Sequence, residues 1–295
     1  MILKMFMPSS SAFSQAGWDR GAGDVASEIL MAVTNGINRF LVVEGPSDHR
    51  FFEPRICEKV YLLAPGGRDL VEEVLQLLDA DPQFSGLHCL GIVDEDDDWH
   101  TGKEKKSENI VAVRPRDLEG MLICSPALSY VLAELSDKQT VANMEREMGQ
   151  TICSAIATKA QIFGKIRLYN STNGQVDLSE KLKPQEFISS TSWTYDEDAL
   201  LLKAVRLGVH EDVTQLKLEI DTIFLPSVWH GVRGHDAVNV LIGAFMRGLK
   251  TVSQISQDRI ESLLRAGLHK HEFEASDLCQ QIRGWEASKA CRLLS

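Results

Sequence analysis

Three acidic side chains stand out for the chemistry their positions allow. Glu44 closes one apolar run, Arg39-Phe-Leu-Val-Val-Glu44, and Asp94 closes another, Leu87-His-Cys-Leu-Gly-Ile-Val-Asp94, which continues as Glu95-Asp96-Asp97-Asp98. Carboxylates are hard oxygen donors, and Mg2+ takes one or two of them together with waters and substrate phosphates. The Asp-x-Asp pair Asp94 and Asp96 offers two from one side of a loop. A cation held there polarises a phosphoryl oxygen and activates water, and two cations about 4 Å apart would serve both the attacking and the leaving oxygen. Glu44 is then a further ligand, or the general acid or base. An acidic run taken alone is more often a solvated loop. Here both acidic positions follow directly on apolar segments, which argues for a built site.

Glu44 and Asp94 are fifty residues apart, so the fold must bring them together. The pattern predicts a helix over about 23–34 ended by Asn35-Gly36, then a strand at 39–44 bounded by Gly45-Pro46, with Ser47 and Asp48 starting the next helix. A second strand is expected at 60–64, a turn at Pro65-Gly66-Gly67, and an amphipathic helix at 69–78 burying Leu70, Val74 and Leu77 or Leu78. Strands at 87–93 and 110–113 follow. Such alternation argues a parallel sheet with right-handed crossovers, the Rossmann-like α/β class. In an open parallel sheet, ligands bind at the carboxyl ends of the strands where the strand order reverses. A 2-1-3 order would therefore put Glu44 beside Asp94.

From Pro126 onward the signals are mainly helical, at about 126–135, 137–163, 196–207, 234–247, 256–266 and 276–287, with short strands suggested at 166–169 and 216–220. The expected organisation is an N-terminal segment and helix (1–36, irregular over 1–22), an α/β domain (37–123) and a mainly helical domain (124–295).

The residues Leu41-Val-Val-Glu44-Gly-Pro-Ser-Asp48, with Gly91-Ile-Val-Asp94-Glu-Asp96, resemble the Toprim signature of topoisomerases, primases and overcoming-lysogenization-defect (OLD) nucleases. Gly66-Gly67, Asp117-Leu-Glu119-Gly-Met-Leu and Gly234-His235-Asp236 are similar to a group of small Toprim proteins that includes the effector of the PARIS anti-phage system, whose partner is an ABC-type ATPase. The resemblance covers most of residues 39–122 plus the Gly-His-Asp patch. It implies a Toprim-like sheet, with Glu44 as catalytic acid/base or metal ligand, Asp94 and Asp96 as catalytic metal ligands, Glu119 as a further ligand, and Mg2+ (or Mn2+) as cofactor. Relatives often place Lys after the Gly-Gly pair, where this chain has Arg68. A chain of 295 residues with four tyrosines shows neither a nucleophilic tyrosine domain nor a zinc module, which leaves a nuclease among the family's activities. The PARIS likeness implies cleavage of RNA such as tRNA by a toxic effector held by its ATPase. The OLD likeness implies DNA, and a non-catalytic Toprim-like binding subunit is a third expectation.

Arg68, Lys103, Arg233 and His235 are the candidate substrate-binding residues. Lys103, with Lys105 and Lys106, would form a basic flap beside the acidic run. Arg233 and His235, in Trp229-His-Gly-Val-Arg-Gly-His-Asp236, would reach back to the sheet, unless that stretch is only a helix start capped near Gly234 or Asp236. His269 and His271 lack an evident third ligand and are better read as loop residues.

Net charge is −11, with 12 Lys+Arg against 21 Asp+Glu in residues 1–123 and 19 against 21 in the remainder. Non-specific affinity for a polyanion usually comes from an excess of Lys and Arg, but carboxylates that bind divalent cations reverse their local charge before substrate arrives. Acidity therefore does not exclude a nucleic-acid substrate. The six cysteines form no C-x-x-C pair, which argues against a zinc ribbon or a disulfide framework. Met1–Met7 is too short for a signal-peptide core and no apolar run reaches the roughly 20 residues of a membrane span, so a cytoplasmic protein is expected. Apolar faces near 126–163 and 238–247 are core candidates, or surfaces for an ATPase partner or a second copy of this chain.

Overall fold

The computed structural model describes residues 20–174, 176–179 and 181–295. Most of the irregular lead-in expected over 1–22, with Met1–Met7, lies outside the described residues.

The first half is built as the alternation implies. Strands β1 (Arg39–Val43), β2 (Tyr61–Leu63), β3 (His88–Asp94) and β4 (Ile110–Val113) alternate with helices α1 (Ala22–Thr34), α2 (Pro46–Phe52), α3 (Arg68–Ala80), α4 (Asp98–Thr101) and α5 (Leu118–Ile123). The sheet is wholly parallel, in the order β2-β1-β3-β4. Val43 of β1 pairs with Ile92 of β3, so Glu44, one residue past that pair, and Asp94, two residues past it, leave the same edge.

Both faces of the sheet are covered, which is why its strands read as continuous apolar runs. Phe40, Val42, Cys89, Val93, Ile110 and Ala112 face α1 and α3 in one core. Their neighbours Leu41, Val43, Leu90, Ile92, Val111 and Val113 enter a second core with residues from the C-terminal half. The period of two along each strand divides them between the faces. Along α3 the buried apolar residues are Val71, Val74, Leu75 and Leu78, so the face is rotated from the expected one, and Leu70 and Leu77 are only partly buried.

The second half comprises α6 (Ala127–Leu135), α7 (Lys138–Met148), α8 (Ile152–Asn173), α9 (Glu197–Arg206), α10 (Val213–Asp221), α11 (Gly234–Gly243), α12 (Gln257–Gly267), α13 (Lys270–Glu274) and α14 (Asp277–Lys289). The single helix expected over 137–163 is two: Gly149 ends α7 at φ +67°, and Thr151 caps α8 by accepting the Ser154 N–H. The strand suggested at 216–220 is helical, because Leu216 and Ile220 are buried while Leu218 is 56% exposed, a helical and not an alternating period. Residues 166–169 lie in the 22-residue helix α8, whose Phe163 and Ile166 enter a third core with Leu200, Leu201, Leu216 and Ile220. A four-residue β preference does not outweigh a helix packed along its length. Helix α11 passes into a π-helical turn, Ala244–Leu249. No helix among the described residues is long and apolar enough to cross a membrane.

Candidate active site

Each loop at the carboxyl edge of the sheet is pinned by backbone amides. The Glu44 carbonyl accepts the N–H groups of Gly66 and Gly67 at 3.2 and 2.9 Å. Those glycines sit at φ +113° and +93°, where side-chain-bearing residues are rare, so the turn after β2 can deliver both amides to the end of β1. The Glu44 side chain spans to the neighbouring strand, where Oε1 accepts the Asp94 N–H at 2.8 Å. Asp94 Oδ1 in turn accepts the Leu118 N–H at 3.2 Å, tying β3 to α5.

Helix α5 brings two further carboxylates. Asp117 caps it, Oδ1 accepting the Gly120 N–H at 2.8 Å, while Oδ2 accepts the Gly234 N–H at 2.6 Å from the start of α11. A Cβ at position 234 would stand 2.2 Å from Asp117 Oδ1 and 2.6 Å from the Glu119 Cβ, so only glycine permits this approach. Ser47, at the start of α2, donates to Glu119 Oε1 at 3.3 Å and accepts from Arg265 Nη1 of α12 at 2.8 Å. Asp48 accepts the Gly45 N–H at 3.0 Å within the same first turn.

The acidic run is sorted by arginines. Arg68 Nη2 meets Asp98 Oδ2 at 2.5 Å, Arg116 pairs with Asp97, and Arg114 Nε lies 2.9 Å from Glu95 Oε1. Asp96 is left with Arg68 Nη1 at 3.8 Å as its nearest cation. It sits at φ +49°, a left-handed conformation Asp tolerates better than most residues, with its side chain about half exposed at the mouth of the site.

The electrostatics follow from this sorting. Burial pushes Glu44 up to about 7 against the Asp94 amide, and the charges of Asp96 and Asp48 act in the same direction. Asp94 is raised well above the usual carboxylate range by burial and then by Asp117, Asp48, Glu44 and Glu119. Glu119 is pushed up to about 7 by burial and Asp117, with His235 opposing. Asp48 is also raised, chiefly by burial. Buried carboxylates that raise one another in this way fit a divalent cation, which would relieve the repulsion. Among the described residues no three His, Cys, Asp or Glu side chains already form a ligand cage.

Glu44, Asp94, Asp96 and Glu119, all anticipated in the sequence, are brought to one edge. The substrate candidates fare differently. Arg68 is 9% exposed and commits its donors to Glu72 (2.7 Å), the Asp94 carbonyl (3.1 Å) and Asp98, so it braces the acidic loop and is not presented to solvent. Lys103 is exposed but leans on α3, 3.5 Å from Glu72 and 3.7 Å from Asp69. His235 Nδ1 lies 2.9 Å from both Glu261 Oε1 and Gln257 Nε2, and the Glu261 partner raises its affinity for a proton. Arg233 donates to the Ser179 carbonyl at 3.3 Å and, with His235, lines a polar cleft of about 390 Å³. The patch meets the start of α5 through the Gly234 amide on Asp117, while the hydrogen bonds of the Arg233 and His235 side chains go to Ser179 and to Glu261 and Gln257, not to the sheet as expected. Helix α11 is not capped by Asp236, which is buried against Arg167.

Asp48, Asp117, Ser47 and Arg265 join the site without having been singled out for it. Asp48 and Asp117 stand inside the motifs quoted above, so their acidity was a usable signal, whereas nothing local marks Arg265, 218 residues from the Ser47 it contacts. No family model matches the chain, and no curated protein matches it.

Proposed function

We propose that the chain is a metal-dependent nuclease of Toprim type. The carrying observation is the convergence of Glu44, Asp94 and Asp96, with Asp48, Asp117 and Glu119, at the carboxyl edge of a parallel sheet, where burial and then neighbouring carboxylates hold the proton affinity of Glu44, Asp94 and Glu119 high. Asp94, Asp96 and Glu119 would hold Mg2+ or Mn2+, and when bound the cation supplies a polarised phosphoryl oxygen and an acidified water. Glu44, shifted to about 7, exchanges a proton near neutral pH, as a general acid or base must. The Asp94 amide fixes its orientation. His235, between Glu261 and Glu119, is placed to take up or release a proton at the rim.

The resemblance favours RNA such as tRNA over DNA, and an effector role controlled by an ABC-type ATPase. In support of a partner surface, Leu202, Leu218, Phe224 and Val228 are four of the six large apolar side chains left exposed among the described residues, all on α9, α10 and the segment that follows. The test is incubation of purified protein with a tRNA pool and with plasmid DNA in Mg2+, with EDTA and Glu44→Ala alongside. The expected result is cutting of tRNA that both controls abolish. Cutting that survives Glu44→Ala would remove the mechanism.

A further inference from the structure

Beside the carboxylate edge, α2 and α12 enclose an open groove of about 360 Å³, lined by Arg50, Arg55, Ser262 and Arg265 and by no carboxylate. Of its three arginines, Arg265 lies 3.9 Å from Glu261, while Arg50 and Arg55 pair with no carboxylate among the described residues, in contrast to Arg68, Arg116 and Arg167 elsewhere in this chain of net charge −11. Arg55 packs its guanidinium 4.1 Å over the Phe51 ring and donates only to backbone carbonyls, those of Phe51, Leu268 and Arg265. Its Nε is buried without a partner. Arg50 is exposed and makes no ion pair among the described residues. A cation withdrawn from water without a countercharge is costly, and a bound anion would supply the charge.

The groove is continuous with the candidate active site. Arg265 Nη1 donates to Ser47 Oγ at 2.8 Å and Ser47 donates to Glu119 Oε1 at 3.3 Å, so two hydrogen bonds separate the arginines from the carboxylates. Helix α2 leaves the end of β1 directly after Glu44 and carries Arg50 one turn beyond Ser47. Along α12, Gln257, Glu261 and Arg265 are successive i, i+4 neighbours on one face. Gln257 lines the polar cleft with Arg233 and His235, and Arg265 lines the arginine groove.

We infer that this groove is a phosphate subsite, taking a backbone phosphate of the nucleic-acid strand next to the one being cleaved. The assignment rests on the nuclease reading for its substrate class, but on its own residues for the anion. Arginine suits the role because its planar fork binds phosphate oxygens in pairs. Such contacts position a strand without reading its sequence.

The test is fluorescence anisotropy of labelled 12-nucleotide RNA and DNA strands in the uncut Glu44→Ala background, over a range of salt. Arg50→Ala is expected to weaken binding several-fold and to reduce the slope of log affinity against log salt by about 0.7, the value for one phosphate contact on a single strand. Arg50→Glu is expected to go further. Arg259→Ala, which removes an exposed charge from α12 outside the groove, is expected to change neither. Unchanged affinity and slope in both Arg50 variants, or no binding by the unsubstituted groove, overturns the subsite. The two ideas separate: a lower slope in a protein that cuts neither strand in Mg2+ keeps the groove and removes the nuclease, whereas cutting with an unchanged slope does the reverse.

Discussion

The molecule buries carboxylates in two ways. Asp236 is 2% exposed and receives Arg167 Nε at 2.8 Å and Nη2 at 3.2 Å, while the same guanidinium donates to the Leu178 and Leu182 carbonyls. Glu72 is fully buried, and Arg68 and Lys106 hold it ionised in spite of its burial. At the sheet edge, burial and then neighbouring carboxylates raise Glu44, Asp48, Asp94 and Glu119, while Arg68 and Arg116 are taken by Asp98 and Asp97. The first arrangement fixes the fold, since each charge has its countercharge. The second leaves negative charge unmatched where strand ends meet, and a cation would complete it.

The largest expected contrast is catalytic. Asp94→Asn should lower metal-dependent cleavage by at least about 100-fold, as loss of a group that stabilises transition-state charge does, without lowering the metal-free melting temperature. Asp236→Asn should do the opposite, costing about 3–5 kcal/mol in denaturant unfolding because it strands a buried guanidinium. A cost below about 1 kcal/mol would erase the distinction between the two regions.

The pH response sharpens the comparison. Glu44 and Glu119 rise from 4.5 to about 7 on folding, so the native state binds more protons than the unfolded chain in that window. Their contribution to stability is complete below about 4.5 and is lost as pH rises through about 7. In EDTA the melting temperature should therefore be lower at pH 8 than at pH 5.5, Mg2+ should restore more at pH 8, and Glu44→Gln should flatten the profile. A metal-free melting temperature that climbs across this range would contradict mutual repulsion at the edge. The smallest effect is expected at Lys103, which is itself exposed and stands no nearer than 3.5 Å to its acidic neighbours Glu72 and Asp69. Lys103→Ala should change stability by less than about 1 kcal/mol, so any larger loss of oligonucleotide affinity in anisotropy reports on the basic flap.

The sheet was legible because parallel strands covered on both faces leave apolar runs, and because Gly45-Pro46 and Gly66-Gly67 mark where they stop. The helical half was less so. A long periodic stretch hid the break at Gly149, and the apolar residues of 216–220 fit a strand until burial separated Leu218 from Leu216 and Ile220. The phase of α3 was missed because the expected and observed faces overlap at Val74 and Leu78.

At the site, residue type and strand-end position were enough to nominate Glu44, Asp94, Asp96 and Glu119, since carboxylates at the ends of adjacent parallel strands must share an edge. Sequence could not say which charges would be matched. In the sequence, Arg68 is as compatible with a substrate contact as with Asp98, and nothing local separates Asp97, which Arg116 reaches, from Asp96, which has Arg68 at 3.8 Å. Those choices depend on contacts between segments far apart in the chain, as Arg167 with Asp236, Gly234 with Asp117 and Arg265 with Ser47 show. Charge matching falls off over a few ångströms and is set by which surfaces pack. The sequence by itself determined the strands of the sheet and the acids at their ends, while tertiary packing decided which of those acids meet an arginine and which do not.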